Sequence, residues 1–300
     1  MNLRALLSFA AILFALPASA QYTAQAGRSA APPRESVRVE RRDKSGQSQF
    51  VEEQRPTQRD RYGNAATSRF DLAVDGAFTG QTVLVIDLYR QPFQHATAAL
   101  RQKGFGVVRY QDVPSVEELK GALAKSNQFW LLASCDNTVY LSKDHQAAIK
   151  KFFDAGHGVY IWGDNDPCNA DADALAQALI GAHVHGDLPG DQVVGLSRGR
   201  GKPGVMPDHL LTTGLEYLYE GVTVATVYPN QRSLTPIVYG SAGNLVTAAF
   251  EQDGKRLIID GGYTRLDYKW DSAGTGRYVR NAAAWLANVE RFGKQAAAAR

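Results

Sequence analysis

The sequence predicts an α/β fold, with a mainly parallel sheet covered by helices on both faces and a second half built of short strands. Three observations carry this. Between residues 82 and 180, β-branched apolar runs alternate with helical stretches of roughly 10–15 residues, the pattern of right-handed βαβ units. From residue 192 onward the apolar runs are short and separated by turns, with Asp253-Gly254 as the clearest hairpin signal. A closing amphipathic helix over 275–291 aligns Tyr278, Ala282, Trp285 and Val289 along one face.

The elements follow in order. Residues 82–88 (TVLVIDL) read as the first strand, 92–103 as a helix and 106–110 as the second strand. Ser115-Val116-Glu117-Glu118 is a capping box, in which the Glu118 side chain can return to the backbone N–H of Ser115. The helix it starts places Val116, Leu119, Ala122 and Leu123 together. Residues 129–134 form the third strand, and 143–154 a helix with Ala148, Ile149, Phe152 and Phe153 as its stripe. Gly156 and Gly158 bracket the exit into a fourth strand, 159–162, and a further helix spans 170–180. The short strands then read 192–196, 222–227, 236–239, 245–250 and 256–260.

The segments before this region differ in composition. Residues 1–20 combine a basic start, an apolar stretch of about a dozen residues and an Ala18-Ser19-Ala20 exit, which is the pattern of a secretory signal peptide cleaved before Gln21. That stretch falls short of the ~20 residues a bilayer anchor needs, and no later segment is apolar enough to span. The expectation is an exported chain, periplasmic or extracellular, with no transmembrane anchor after cleavage. Residues 21–70 carry ten basic against six acidic side chains and few large apolar ones, so a disordered basic tether is expected there. The α/β domain should occupy 71–292, followed by a frayed Ala-rich tail over 293–300. Overall, 33 basic residues face 30 acidic ones, a net charge of +3, whereas the part after Phe70 is slightly acidic. That balance excludes a basic nucleic-acid-binding core.

The segment order, with Lys255-Arg256-Leu257-Ile258-Ile259-Asp260-Gly261-Gly262 and Asn281-Ala282-Ala283-Ala284-Trp285-Leu286, resembles the class I glutamine amidotransferase-like fold over about 81–292. The expected sheet is flavodoxin-like. The chain is more particularly similar to non-catalytic relatives, namely trehalose-utilisation-type proteins and the domain of gliding-motility and intraflagellar-transport proteins. The resemblance implies a nucleophilic Cys on the turn after 159–162, but that turn reads Gly163-Asp164-Asn165-Asp166. It implies His and Glu partners near 260–265, where this chain has Asp260-Gly261-Gly262-Tyr263-Thr264-Arg265. The glutamine-hydrolysing triad is therefore expected to be absent. His209, just before a Thr213-Gly214-Leu215 phrase, resembles a segment of the same family, and Glu220 downstream would join the site.

Open parallel sheets bind ligands at their carboxyl edge. That rule places Asp87, Tyr89 and Arg90 after the first strand, Asp136 and Asn137 after the third, and Asp164, Asn165 and Asp166 after the fourth on one rim. Tyr263, Thr264 and Arg265 join from the last strand, with Trp270 as a stacking surface for a sugar or peptide. Cys135 and Cys168 lie on the same rim, and two cysteines in an exported chain point to a disulfide, with free thiols or a reactive or metal-binding Cys as rivals. The acidic run GDNDPCNADAD reads as helix capping, with Asn169 as N-cap and Asp171 and Asp173 in the first turn. Its alternative is a Ca²⁺ or Mg²⁺ site using Asp164 and Asp166, although the EF-hand Gly and Glu are missing.

Two literal motifs carry nothing. Gly195-Leu196-Ser197-Arg198-Gly199 fits a nucleophile elbow, yet glycines and a proline follow where a helix should start. Gly199-Arg200-Gly201-Lys202-Pro203-Gly204 has the dinucleotide spacing outside any βαβ unit. His183 and His185 alternate on a possible strand without an identified third ligand. The functional expectation is an exported, non-catalytic binding or scaffolding domain for a carbohydrate, peptide or envelope protein, with no catalytic residues and no cofactor. Its alternative is an envelope hydrolase or lyase using Asp164, Asp136 and His209, with or without a divalent cation.

Overall fold

The computed structural model describes residues 21–29, 34–229, 234–270 and 273–292. The predicted signal peptide and the Ala-rich tail lie outside them. Strands β3 (Thr82–Asp87), β4 (Gly106–Tyr110), β5 (Gln128–Leu132), β6 (Gly158–Trp162) and β14 (Lys255–Asp260) pair in parallel in the order β4-β3-β5-β6-β14. Three antiparallel strands, β13 (Leu245–Gln252), β12 (Thr235–Tyr239) and β9 (Gly204–Val205), extend this sheet to eight. The architecture is the mainly parallel, flavodoxin-like α/β sheet that the sequence predicts.

Alternation along each strand sorts the core into two layers, as a side-chain period of two requires. Val83, Val85, Trp130, Tyr160, Trp162 and Ile258 face one layer, and Leu84, Ile86, Phe129, Leu131, Val159, Ile161, Leu257 and Ile259 the other. Helices α1 (Gln94–Gln102) and α5 (Thr275–Leu286) cover the first, and α2 (Val116–Leu123), α3 (Lys143–Asp154) and α4 (Ala170–Ile180) the second. The capping box of α2 is formed, with Ser115 and Glu118 each bonded to the other's backbone N–H. The β13–β14 hairpin turns on Asp253 and Gly254 with φ of 54° and 68°, the left-handed pair that a tight two-residue hairpin needs.

Two expectations change. The described residues between 21 and 70 are not a structureless tether. Within them β1 (Arg34–Arg42) and β2 (Ser48–Pro56) form an antiparallel ribbon that pairs Arg38 with Glu52 and Val39 with Val51. Arg41 Nε donates to Glu53 at 2.8 Å, and the Arg38 guanidinium lies 4.5 Å from the centre of the Phe50 ring. Such a ribbon draws on its main-chain ladder and cross-strand charge pairs, which apolar content does not register. Residues 21–29 lie along the domain: Thr23 Oγ1 donates to the Asp71 carbonyl at 2.6 Å and the Gly27 N–H to Thr213 Oγ1 at 3.0 Å. The second half also departs from plain short-strand order. β7 (His183–Pro189) pairs only with β11 (Thr223–Tyr228), and β8 (Val193–Val194) with β10 (Leu218–Tyr219), both outside the main sheet among the described residues. No described helix is long and apolar enough to cross a membrane.

Candidate functional site

The parallel strands deliver their carboxyl ends to one rim, and the turn after β6 sits at its centre. Asp164 on that turn is 1% exposed and accepts a hydrogen bond from the Asn165 N–H at 2.9 Å. Thr264 bonds the same carboxyl through its side chain and its backbone. Burial pushes the Asp164 carboxyl up to about 8, against the hydrogen bonds from Asn165 and Thr264 and the charge of Arg265. It is therefore a neutral acid at pH 7. Tyr263 and Tyr89 adjoin it, their ring centres 4.1 Å apart. Burial raises both phenols, Tyr89 to about 12 and Tyr263 further, with Asp164 contributing to each. Exposed Tyr268 interacts with Tyr89, so this cluster reaches the surface through Tyr268.

The remaining rim residues separate into three groups. Asp87, fully buried, accepts from Arg109 Nε at 3.0 Å and from the Arg90 N–H at 2.9 Å. Arg90 has φ of 60°, and its guanidinium pairs with Asp112 and donates to the Gln111 carbonyl at 3.1 Å. Its side chain is thereby committed to the segment after β4. Asp136 and Asn137 stay on the surface. The Thr138 N–H at 2.8 Å and then the Tyr140 hydroxyl at 2.9 Å hold the Asp136 carboxyl below its usual range. Glu220 is fully buried and spent on Ser241, whose N–H and hydroxyl donate to it at 2.6 and 2.7 Å. Arg265, also sealed, donates to Asp260 Oδ2 at 2.9 Å and to the Glu220 carbonyl at 2.6 Å.

Asn169 stands at the N-cap position of α4 with Asp171 and Asp173 in the first turn, as the acidic run predicts, but its side chain does not cap the helix. Its amide donates instead to the Asp164 carbonyl at 3.1 Å and to Asp166 Oδ1. Asp171 is buried and accepts the Leu141 N–H at 2.8 Å, which ties α4 to the loop after β5. Asp173 receives the Val184 N–H at 2.9 Å and lies 3.2 Å from His183 Nδ1. Each of these first-turn carboxylates also accepts a backbone N–H from outside the helix. Asp166 Oδ2 takes the Gly186 N–H at 3.0 Å, and Asn165 Oδ1 takes the Thr223 hydroxyl at 2.7 Å. Asp164 and Asp166 thus serve different partners, and no group of three His, Cys, Asp or Glu among the described residues could hold a metal ion.

His209 does not belong to the rim either. Its Nδ1 accepts the Leu211 N–H at 3.1 Å, and its ring stands edge-on to Trp285 at 5.6 Å. Glu251 and Arg256 influence it, and Arg256 is the second residue of β14, so it lies toward the opposite, amino end of that strand. Burial lowers it to about 4, against the pull of Glu251. Ser197 is likewise structural, its hydroxyl lying 2.8 and 2.9 Å from the Gly199 and Lys202 carbonyls in an irregular loop. Cys135 and Cys168 are joined in a disulfide that ties the turns after β5 and β6. The Cys168 carbonyl accepts the Asp164 N–H at 3.0 Å, so this bond steadies the turn that carries the buried acid.

Beside the tyrosines lies an open groove of about 790 Å³, in the range of small-molecule sites. It is lined by Arg61, Tyr62, His95, Asp191, Gln192, Val193, Tyr219, Asp267, Tyr268, Lys269 and Trp270. Trp270 and His95 stack with ring centres 5.7 Å apart and 18° between planes. Asp191 accepts from the Tyr219 hydroxyl at 2.8 Å and pairs with Lys269, which together hold its carboxyl below the usual range. Of these residues the sequence singles out Trp270 alone. Tyr62 and Arg61 lie in the stretch read as a tether, and Asp191 and Tyr219 meet only through the β8–β10 pairing. The dense Asp267-Tyr268-Lys269-Trp270 run after the last strand is the one signal that points here.

No protein-family model matches the chain, and no curated protein matches it. Several solved structures are similar at low identity. One is a GMP synthase component from Thermoplasma acidophilum, with 9% identity, a TM-score of 0.42, and 72% of this chain and 98% of that one covered. Another is PurLQS from Thermotoga maritima, at 10% identity and a TM-score of 0.40, covering 69% of this chain and 100% of that one. A third is the exo-β-1,4-mannosidase Op5Man5 from Opitutaceae bacterium strain TAV5, at 12% identity and a TM-score of 0.39. It covers 70% of this chain but 36% of the mannosidase, and none of the three assigns a role to a residue here.

Proposed function

We propose that the chain is an exported binding or scaffolding module, an amidotransferase-like fold without the hydrolytic triad, whose ligand site is the groove at the carboxyl edge. One observation carries this reading. The groups at the rim centre that could run chemistry are sealed and bonded within the protein: Asp164, Glu220, Asp260 and Arg265 are each at most 1% exposed. An open, polar, aromatic groove lies next to them. Binding energy is available at this edge, while the buried acids at the rim centre are spent on partners within the protein.

The alternative is a hydrolase or lyase in which Asp164 acts as an acid. It is favoured by the neutral state of Asp164 at pH 7, the condition a proton donor needs. A turnover screen on glycan and peptide substrates, with Asp164→Asn beside the wild type, separates the two. The binding reading expects no turnover by either protein. Turnover by the wild type that disappears in a folded Asp164→Asn variant would replace it with the hydrolytic one.

A further inference from the structure

Resting on the binding reading above, we infer that the groove takes a saccharide chain, with the Trp270 ring as its stacking surface. A pyranose presents an apolar face of C–H groups and a rim of hydroxyls that both donate and accept. Its recognition therefore requires a flat aromatic surface flanked by hydrogen-bond donors and acceptors. Trp270 supplies the first: half-buried, it packs on the core while its ring lines the groove, and His95 lies nearly parallel to it. Tyr268, 62% exposed, offers a second ring from the same segment. Asp191, Lys269 and Tyr219 supply the polar partners, a carboxylate, an ammonium and a phenol already bonded to one another.

The same lining disfavours other ligand classes. The lining matches Arg61 and Lys269 with Asp191 and Asp267, so the groove has no excess positive charge with which to hold a phosphate or a polyanion. Val193 is the one aliphatic side chain lining it, so the groove lacks the aliphatic pocket that seats the Leu and Ile anchors of an amphipathic helix. A neutral or zwitterionic glycan fits both the rings and the balanced charge.

The test is calorimetric titration of the disulfide-bonded protein with short chito-, cello-, manno- and malto-oligosaccharides, and separately with a mixed peptide pool. Wild type, Trp270→Ala, Trp270→Phe and Tyr268→Ala are compared, and thermal melting reports folding. At least one oligosaccharide should bind the wild type. Trp270→Ala should weaken that binding about tenfold or more, Tyr268→Ala less, and Trp270→Phe least, since a ring remains. Saccharide binding that ignores both Trp270→Ala and Tyr268→Ala overturns the inference, as does the absence of saccharide binding. In the second case, peptide binding weakened by the groove variants leaves the module reading standing; no binding of either class removes both.

Discussion

Arg265 reaches across the end of β14 to place its guanidinium 2.9 Å from Asp260, and both side chains are sealed from solvent. The hydroxyls of Tyr160 and Tyr278 each lie 3.1 Å from the same Asp260 oxygen, and burial raises both phenols. Asp260 and Arg265 lie in the stretch where the sequence alone directs the search for catalytic partners, but with Tyr160 and Tyr278 they form a closed structural network. Removing one member of a buried pair strands the other charge, at a cost of about 3–5 kcal/mol. Arg265→Met should therefore destabilise the fold by that order. Asp260→Asn combined with Arg265→Met should recover part of the loss, as read by denaturant unfolding. An additive double variant would mean that the pair is not coupled.

Asp164 makes the fold lose stability as pH rises from the acid range to about 8. Its carboxyl sits at about 8 in the folded chain against ~3.9 when unfolded. Between these values the unfolded state gives up a proton that the folded state keeps. The stability contribution is thus whole below pH ~3.9 and is lost as pH rises toward 8, by up to ~1.4 kcal/mol per unit. Asp164→Asn should abolish this slope. Unfolding midpoints compared at the two ends of the window should show the variant gaining on the wild type as pH rises, and parallel curves would contradict the assignment.

The parallel half of the fold is legible in the sequence because burial on both faces forces short continuous apolar runs, as in Val83–Ile86 and Val159–Trp162. Local signals such as the Ser115–Glu118 box and the Asp253-Gly254 turn act within a few residues and are legible for that reason. The ribbon of β1 and β2 is not, since Val37, Val39 and Val51 are its only aliphatic side chains and its charge pairs join distant residues. For the rim, strand order alone brings Asp164, Thr264, Tyr89 and Tyr263 to one edge, where they adjoin one another. It says nothing of which carboxylates are spent on partners such as Ser241 or Gly186, because those contacts depend on loop paths. The groove escapes sequence reasoning for the same reason, since Tyr62, Asp191 and Tyr219 meet only in three dimensions.

His209 acts in the opposite direction from Asp164. Burial lowers its imidazole to about 4, whereas an unfolded His titrates near ~6.5. The unfolded state takes up a proton first as pH falls, so the stability present above ~6.5 is lost between there and about 4. His209→Asn keeps a side-chain acceptor for the Leu211 N–H while removing the titrating group. Its lost packing against Trp285 lowers stability at every pH. The expected signature is a flatter acid limb, with the deficit against wild type shrinking between pH ~6.5 and ~4, as measured by denaturant midpoints.

The Cys135–Cys168 bond links positions 33 residues apart. In the loop-entropy account, closing a loop of that length in the unfolded chain stabilises the fold by ~3–4 kcal/mol. The double substitution Cys135→Ser, Cys168→Ser should cost that order in denaturant unfolding, and reductant should move the wild type toward the variant. A local effect should accompany the global one. The Asp164 N–H bonds the Cys168 carbonyl and the Cys168 N–H bonds the Asn165 carbonyl at 2.7 Å, so loosening this turn admits water to the buried acid. With burial relieved, the Asp164 carboxyl should titrate below about 8. Carboxyl chemical shifts followed through a pH titration of the reduced and oxidised proteins read this directly. An Asp164 resonance that titrates identically in both would show that the disulfide holds the loops together without setting the environment of the acid.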